Sequence, residues 1–248
     1  MSVHFKLCCH FFVLSSLVSL CSCIDMQKNS NVGAILSSLS TATSSNQLDE
    51  STIASGLRQA LEIGSARASK TASTPDGFLA NSQIRIRLPE SLDGVTDTLR
   101  KVGFGAQVDQ FEVKMNRAAE SAAAEAKPVF ISAVKGMTLT DAMGILKGSD
   151  TAATDYFRSK TSLTLQQKFK PVVRSKMEEV GVYGLYNQLI STYNGLPLVK
   201  KTSFDLESYL ANKTQDGLFT LLAEEEVKIR NNPAARTTEL LKQVFSGR

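Results

Sequence analysis

The chain has 248 residues, with 28 Lys and Arg against 24 Asp and Glu, and a formal charge of +4. Hydrophobic residues make up 42% and charged residues 21%, a globular rather than a disordered composition. So small a basic excess excludes a purely electrostatic nucleic-acid footprint.

The first 23 residues read MSVHFKLCCHFFVLSSLVSLCSC. Lys6 supplies one positive charge, and residues 11–20 form a short apolar stretch. A bilayer span needs about 20 apolar residues, so this stretch is too short to cross one. A charged start, a brief apolar middle and small residues at the end describe a secretory signal peptide over residues 1–22. Leu20-Cys21-Ser22-Cys23 looks like the lipobox of bacterial lipoproteins. By that likeness cleavage falls before Cys23, whose thiol carries a diacylglycerol. Cys21 departs from the more usual Ala or Ser. The alternative is a plain signal peptide cut nearby, which leaves Cys23 free. An acylated and diacylated terminus exceeds the two-signal threshold for stable membrane attachment.

Residues 23–47 are read as the lipid anchor and a flexible tether. Seven of the ten residues from Ser37 to Asn46 are Ser or Thr, too little apolar surface to offset the entropy of ordering. From residue 48 to 248 the pattern is helical. Ile53, Leu57, Ala60, Leu61 and Ala68 recur at helical steps behind Asp49 as N-cap. Thr74-Pro75-Asp76-Gly77 breaks the chain. Ile84-Arg85-Ile86-Arg87-Leu88 alternates like a short half-buried strand. Since one such strand is not a sheet, the expectation is an extended segment laid against helices or a minimal ribbon with residues 195–199 as a possible partner. Residues 90–102 predict a helix closed by Gly103-Phe104-Gly105. Val108, Phe111, Met115, Ala118, Ala119 and Ala122 line one face of the next. Pro128 suits a first turn. Thr140 is expected to cap a short helix ended by Gly148, and Ser149 or Asp150 to cap the one after it. Pro171 implies a kink or a fresh start. Asp205 caps a long helix to about Arg230, and Asn232-Pro233 opens the last, with Leu240, Leu241, Val244 and Phe245 buried. The expected fold is all-α: a single multi-helix domain of about eight to ten helices, with at most a minimal extended or β segment near 84–88.

The histidines, His4 and His10, and the cysteines, Cys8, Cys9, Cys21 and Cys23, all lie within the first 23 residues. Beyond them there is no imidazole for proton transfer, for a Ser-His-Asp triad or for a zinc site of the usual N/S type. No glycine-rich phosphate loop occurs. The expectation is therefore no cofactor and no metal. Ser132-Ala133-Val134-Lys135 matches the SxxK pattern of serine acyltransferases, without the partner motifs; a solvent-facing pair is the plainer reading. Glu224-Glu225-Glu226 reads as a solvated face with Glu224 beside Lys228, because consecutive helical residues point about 100° apart. Arg85, Arg87, Arg117, Asp150, Tyr156, Arg158 and Glu224 are the candidates for an anion- or ligand-binding cleft. The competing reading is interhelix ion pairing, with Asp150, Asp155, Asp216 and Glu120 as partners for Arg117, Arg158 and Arg230.

Seven ordered segments carry a family likeness: TPDGFLANSQIRIRLPESL (74–92), MNRAAE (115–120), EAKPVF (125–130), GILKGSDTAATDYFR (144–158), KFKPVV (168–173), LYNQL (185–189) and DGLFTLLAEEEVKIRNNPAARTTELLKQVF (216–245). Together they resemble the bacterial envelope family catalogued as domain of unknown function 4197, over about residues 48–247. Ser149 stands where that family often has Asp, and Arg87 where it often has Pro. The resemblance implies a mostly helical, exported, often lipidated protein and no established activity.

The expected role is thus a non-catalytic binding or scaffolding lipoprotein. It is held to a membrane by its lipid and faces the periplasm, with an apolar ligand or an envelope protein as partner and no nucleic acid. Ile24, rather than Asp, follows Cys23; by the sorting rule of enteric bacteria this favours the outer membrane. The alternative is a carboxylate-based hydrolase of an envelope polymer, with Glu120, Asp150 or Glu224 as acid or base.

Overall fold

Asp49 opens the first helix as the pattern predicts, its carboxylate accepting from the Thr52 amide. A computed structural model describes residues 49–200, 203–236 and 238–245, without the side chains of Leu241 and Phe245. The signal peptide, the Cys23 anchor, the tether and the expected burial of Leu241 and Phe245 lie outside the described residues. The helices are α1 (Glu50–Ser73), α2 (Asp93–Lys101), α3 (Gly105–Ala123), α4 (Ala126–Lys135), α5 (Leu139–Lys147), α6 (Ala152–Glu179), α7 (Val182–Asn194), α8 (Leu206–Asn231) and α9 (Glu239–Phe245). Short 3-10 turns occupy Glu90–Leu92 and Pro233–Ala235. The fold is all-α, and no strand occurs among the described residues.

Helix α8 is central, packing against α6, α1 and α3. Four-residue steps place Leu210, Thr214, Leu218, Leu222, Glu226 and Arg230 on its buried stripe. The expected apolar face of α3 is buried throughout, from Val108 to Ala122, and its small residues allow close approach to its neighbours. Phe130 of α4, Phe157 of α6 and Phe219 of α8 meet at the centre, with ring centroids 5.2 and 6.1 Å from Phe130. Such aromatic pairs add to the burial of apolar area.

Several local expectations are corrected. Residues 84–88 form no strand, and residues 195–199 do not pair with them. Of the two expectations the segment follows the one that lays it against helices: it lies on α3, whose side chains take the place of a neighbouring strand. The Ile86 amide donates to Asn116 Oδ1 at 2.9 Å, and Asn116 Nδ2 donates back to the Ile86 carbonyl at 2.8 Å. Glu112 accepts from the Leu88 amide at 3.4 Å, and Glu120 accepts from the Phe78 and Leu79 amides at 3.1 and 3.2 Å. Glu112, Asn116 and Glu120 stand four residues apart, on one side of the helix. From α8, the Tyr209 hydroxyl donates to the Arg87 carbonyl at 2.7 Å.

Two glycines admit this segment. A Cβ at Gly77 would lie 2.2 Å from the Thr71 carbonyl oxygen, and one at Gly217 would lie 2.6 Å from the Phe78 ring.

The cap of α5 is Thr138 rather than Thr140, in a reciprocal capping box with Asp141. Neither Ser149 nor Asp150 caps the next helix; Thr151 holds the N-cap position without a side-chain bond. Pro171 neither starts nor ends a helix, because α6 runs unbroken through it. Pro171 and Gln167 both lie on the exposed side, where a carbonyl left without its amide can be hydrated. Asn232 caps a 3-10 turn before the last helix begins.

Replacing Asn116 by Leu leaves the buried Ile86 N–H and C=O without partners. Urea denaturation is expected to register a loss of about 2–4 kcal/mol, with Gly217→Ala costing about 1–3 kcal/mol through the clash with Phe78. A loss below about 0.5 kcal/mol for both contradicts the docking described.

Candidate functional site

The charged residues singled out in the sequence fall into three groups. The first serves the 74–92 segment. Arg85 is exposed and reaches Glu112 at 3.5 Å. Arg87 is exposed as well, and its carbonyl is the group that Tyr209 holds. Arg117 bridges Glu120 at 2.8 Å and Asp76 at 2.7 Å. Those bonds, to Glu120 first, raise the Arg117 pKa further above its already high value. Arg85 and Arg117 make ion pairs, but these join the 74–92 segment to α3 or lie within α3, where the structural reading expected pairs between helices.

The second group is buried. Glu226 and Arg230 are paired at 2.8 Å, with side chains 5% and 2% exposed. Glu226 also accepts from the Ala153 and Thr154 amides and the Thr154 hydroxyl, each at 2.9 Å. This carboxylate is therefore the cap of α6, supplied from α8 and placed where the helix dipole favours negative charge. Arg230 also donates to the Ile145 carbonyl at 2.9 Å and so ties the end of α5 to the same point. The acidic triplet is not one solvated face. Glu226 is buried, Glu225 pairs with Lys228 at 2.9 Å and Arg67 at 3.7 Å, and Glu224 does not form the expected pair with Lys228.

Glu224 belongs to the third group, which lines a groove of about 740 Å³ between the start of α6 and the second half of α8. Ala223 and Val227 supply its apolar surface, over the fully buried Phe219, while Asp155, Arg158, Glu224 and Lys228 supply charges of both signs. The Arg158 guanidinium stacks 4.4 Å from the Phe219 ring centroid and reaches Asp216 at 3.6 Å. Stacking and pairing hold a cation at the groove wall. The volume falls in the range of ligand sites, about 300–1,000 Å³. Of the three carboxylates considered for catalysis, Glu224 alone lines this groove. Glu120 is buried beneath Phe78, and Asp150 is exposed in the turn before α6.

Tyr156 does not join Arg158. It faces α4, with its hydroxyl donating to the Ala133 carbonyl at 3.3 Å. Burial, and to a lesser degree Asp141, holds its phenol above the usual range. Ser132 lines a cleft on that side, but Lys135 does not, so the two residues of the SxxK match do not work as a unit. Among the described residues, no group of His, Cys, Asp and Glu is arranged to hold a metal ion. No single helix there is long and apolar enough to cross a membrane.

Asn116 and Glu226 were not among the candidates read from the sequence. A signal was present: each is a polar residue at a position where helical periodicity predicts burial. Removing Glu226 strands a buried guanidinium and uncaps α6. Glu226→Ala is expected to cost about 3–5 kcal/mol in denaturant unfolding. Glu224 is half-buried and in no ion pair with Lys228, and Glu224→Ala is expected to stay within about 0.5 kcal/mol of the parent.

A search of the curated proteins gives no match to this chain, and a search of the solved structures gives none either. A family model, described as protein of unknown function (DUF4197), matches residues 47–246. That match spans most of the chain and all of the helical body described above, so the chain belongs to this family of unknown function.

Proposed function

We propose that the protein is an exported, lipid-anchored, non-catalytic binding or scaffolding component of the bacterial cell envelope. The observation that carries the binding reading is the α6–α8 groove. It joins a short apolar strip, Ala223 and Val227, to fixed charges of both signs. Such a surface suits an amphipathic segment of another envelope protein, or a ligand with one apolar and one charged end. Most of the other conspicuous charges are consumed in holding the fold, including Glu120, Arg117, Glu226 and Arg230. The placement rests on sequence alone: the short apolar leader, Leu20-Cys21-Ser22-Cys23 and Ile24. The anchor would leave the helical body facing the periplasm, with the outer membrane favoured.

A second reading keeps one specific support. Asp155 and Glu224 both line the groove, and two carboxylates in one cleft suffice for glycosidic cleavage when suitably spaced.

Three experiments test these readings. Palmitate labelling in cells is expected to mark the protein and to disappear with Cys23→Ala; unlabelled protein in the soluble periplasm contradicts the anchor. A photo-reactive residue in place of the half-exposed Val227 is expected to give a discrete adduct, or native mass spectrometry a retained ligand, weakened severalfold by Arg158→Ala with Glu224→Ala. The absence of both contradicts the binding reading. Turnover of an envelope polymer that is lost on Glu224→Gln and Asp155→Asn would favour the hydrolase.

A further inference from the structure

Helix α6 presents a different set of side chains to α4. Tyr156, Lys160, Thr164 and Lys168 stand four residues apart and share one wall of a cleft of about 440 Å³. The facing wall carries Pro128, Val129, Ser132 and Ala133 from α4. The groove described above uses Asp155 and Arg158, on another side of α6, so the two cavities are separate.

The lysines of this cleft, like Lys70 and Lys127 elsewhere, stand outside the ion pairs that engage many of the other cations. Arg85, Arg117, Arg158, Arg174, Lys228 and Arg230 each have a carboxylate partner. Lys160 and Lys168 have no ion-pair partner among the described residues, and no carboxylate lines the cleft. Asp141 is an acid that feels the charge of Lys160. Its oxygen is already engaged by the Thr138 amide and hydroxyl at 3.0 and 2.7 Å. The Lys160 ammonium lies 5.7 Å from the Tyr156 ring centroid, a weak cation–π contact that draws it toward the cavity wall.

We propose that this α4–α6 cleft is a phosphate-binding site, with Lys160 and Lys168 supplying the charge and Ser132 and Thr164 supplying hydroxyl donors. Two ammonium groups act as point charges, and hydroxyls can donate to several oxygens at once. That combination suits a compact, multiply charged tetrahedral anion. A planar carboxylate is better matched by an arginine fork, and no arginine lines the cleft. The cavity exceeds what a bare phosphate fills, and Pro128, Val129 and Ala133 offer apolar surface to whatever the phosphate carries. The ligand class is therefore a phosphate monoester or diester with a small organic group. Such a ligand exists either free in solution or as a lipid headgroup.

The test uses the full chain carrying Cys23→Ser, so that no acyl anchor contributes. Calorimetric titration with glycerol 1-phosphate at low ionic strength is run beside co-sedimentation with phosphatidylcholine vesicles containing phosphatidylglycerol. Binding of at least one probe is expected, weakened about tenfold or more by Lys160→Gln with Lys168→Gln. Lys70→Gln with Lys127→Gln removes the same charge from another part of the surface and should leave binding unchanged. Both pairs change exposed side chains, and circular dichroism verifies that they fold. Binding of the soluble ester assigns the site to a free phosphate compound, and binding of vesicles alone assigns it to a headgroup. No binding of either probe overturns the proposal, as does equal weakening by the two variant pairs.

Discussion

Backbone amides that leave water must find another partner, and this requirement organises the molecule. An all-helical body satisfies most of its backbone within each helix. The exceptions are the ends of helices and any extended segment pressed into the interior. Here one irregular segment, turning at Phe78 and running extended to Leu88, and one helix start, at Ala153 and Thr154, are buried. Neither has a strand or a local cap to complete it. Both are completed by side chains from distant parts of the chain: Asn116, Glu112 and Glu120 in the first case, Glu226 in the second. Leaving any such group unpaired would cost about 1–3 kcal/mol, a large fraction of the stability of a typical domain.

That arrangement explains what could be read from the sequence and what could not. Helices came through clearly wherever an apolar stripe recurred at helical spacing, as in α3, and wherever a cap was local, as at Asp49 and Asp205. The shift from Thr140 to Thr138 reflects two threonines of equal propensity two residues apart; the capping box chose the one with an acid three positions on. The extended nature of Ile84–Leu88 was legible from its alternation, but its partner was not. Asn116 imitates a strand with a single amide, and that pairing leaves no pattern in the segment it serves. Likewise, Ser149 and Asp150 looked like caps because caps are usually local, whereas Glu226 lies more than seventy residues away. The candidate site was only partly visible. Arg158 and Glu224 do meet along one groove, but Ala223 and Val227, which complete it, carry no chemistry that singles them out in the sequence. Arg85 and Arg117 turned out to be held by acids, and Tyr156 faces another way.

The same economy bears on function. A protein without imidazole in its helical body uses its buried carboxylates for architecture, and its cavities are left with exposed charges and short apolar strips. These features suit recognition. Helix α6 lines two cavities at once, a mixed-charge groove toward α8 and a cationic cleft toward α4. Its N-terminus is fixed by Glu226 and its middle by Phe157 and Leu165 in the core, so neither surface depends on a mobile loop. An anchor at Cys23 would hold both near a membrane, where amphipathic segments and phosphate groups are abundant.

Amide hydrogen exchange on the native protein is the most direct measure of the central claim. Phe78, Leu79 and Ile86 lie in a stretch without regular secondary structure, and Ala153 and Thr154 lie in the first turn of a helix; amides in such places ordinarily exchange within the fastest class. If distant side chains complete this backbone, all five should exchange slowly, with protection approaching that of the α8 core amides. Rapid exchange at these positions in a protein whose α8 amides remain protected would contradict the account.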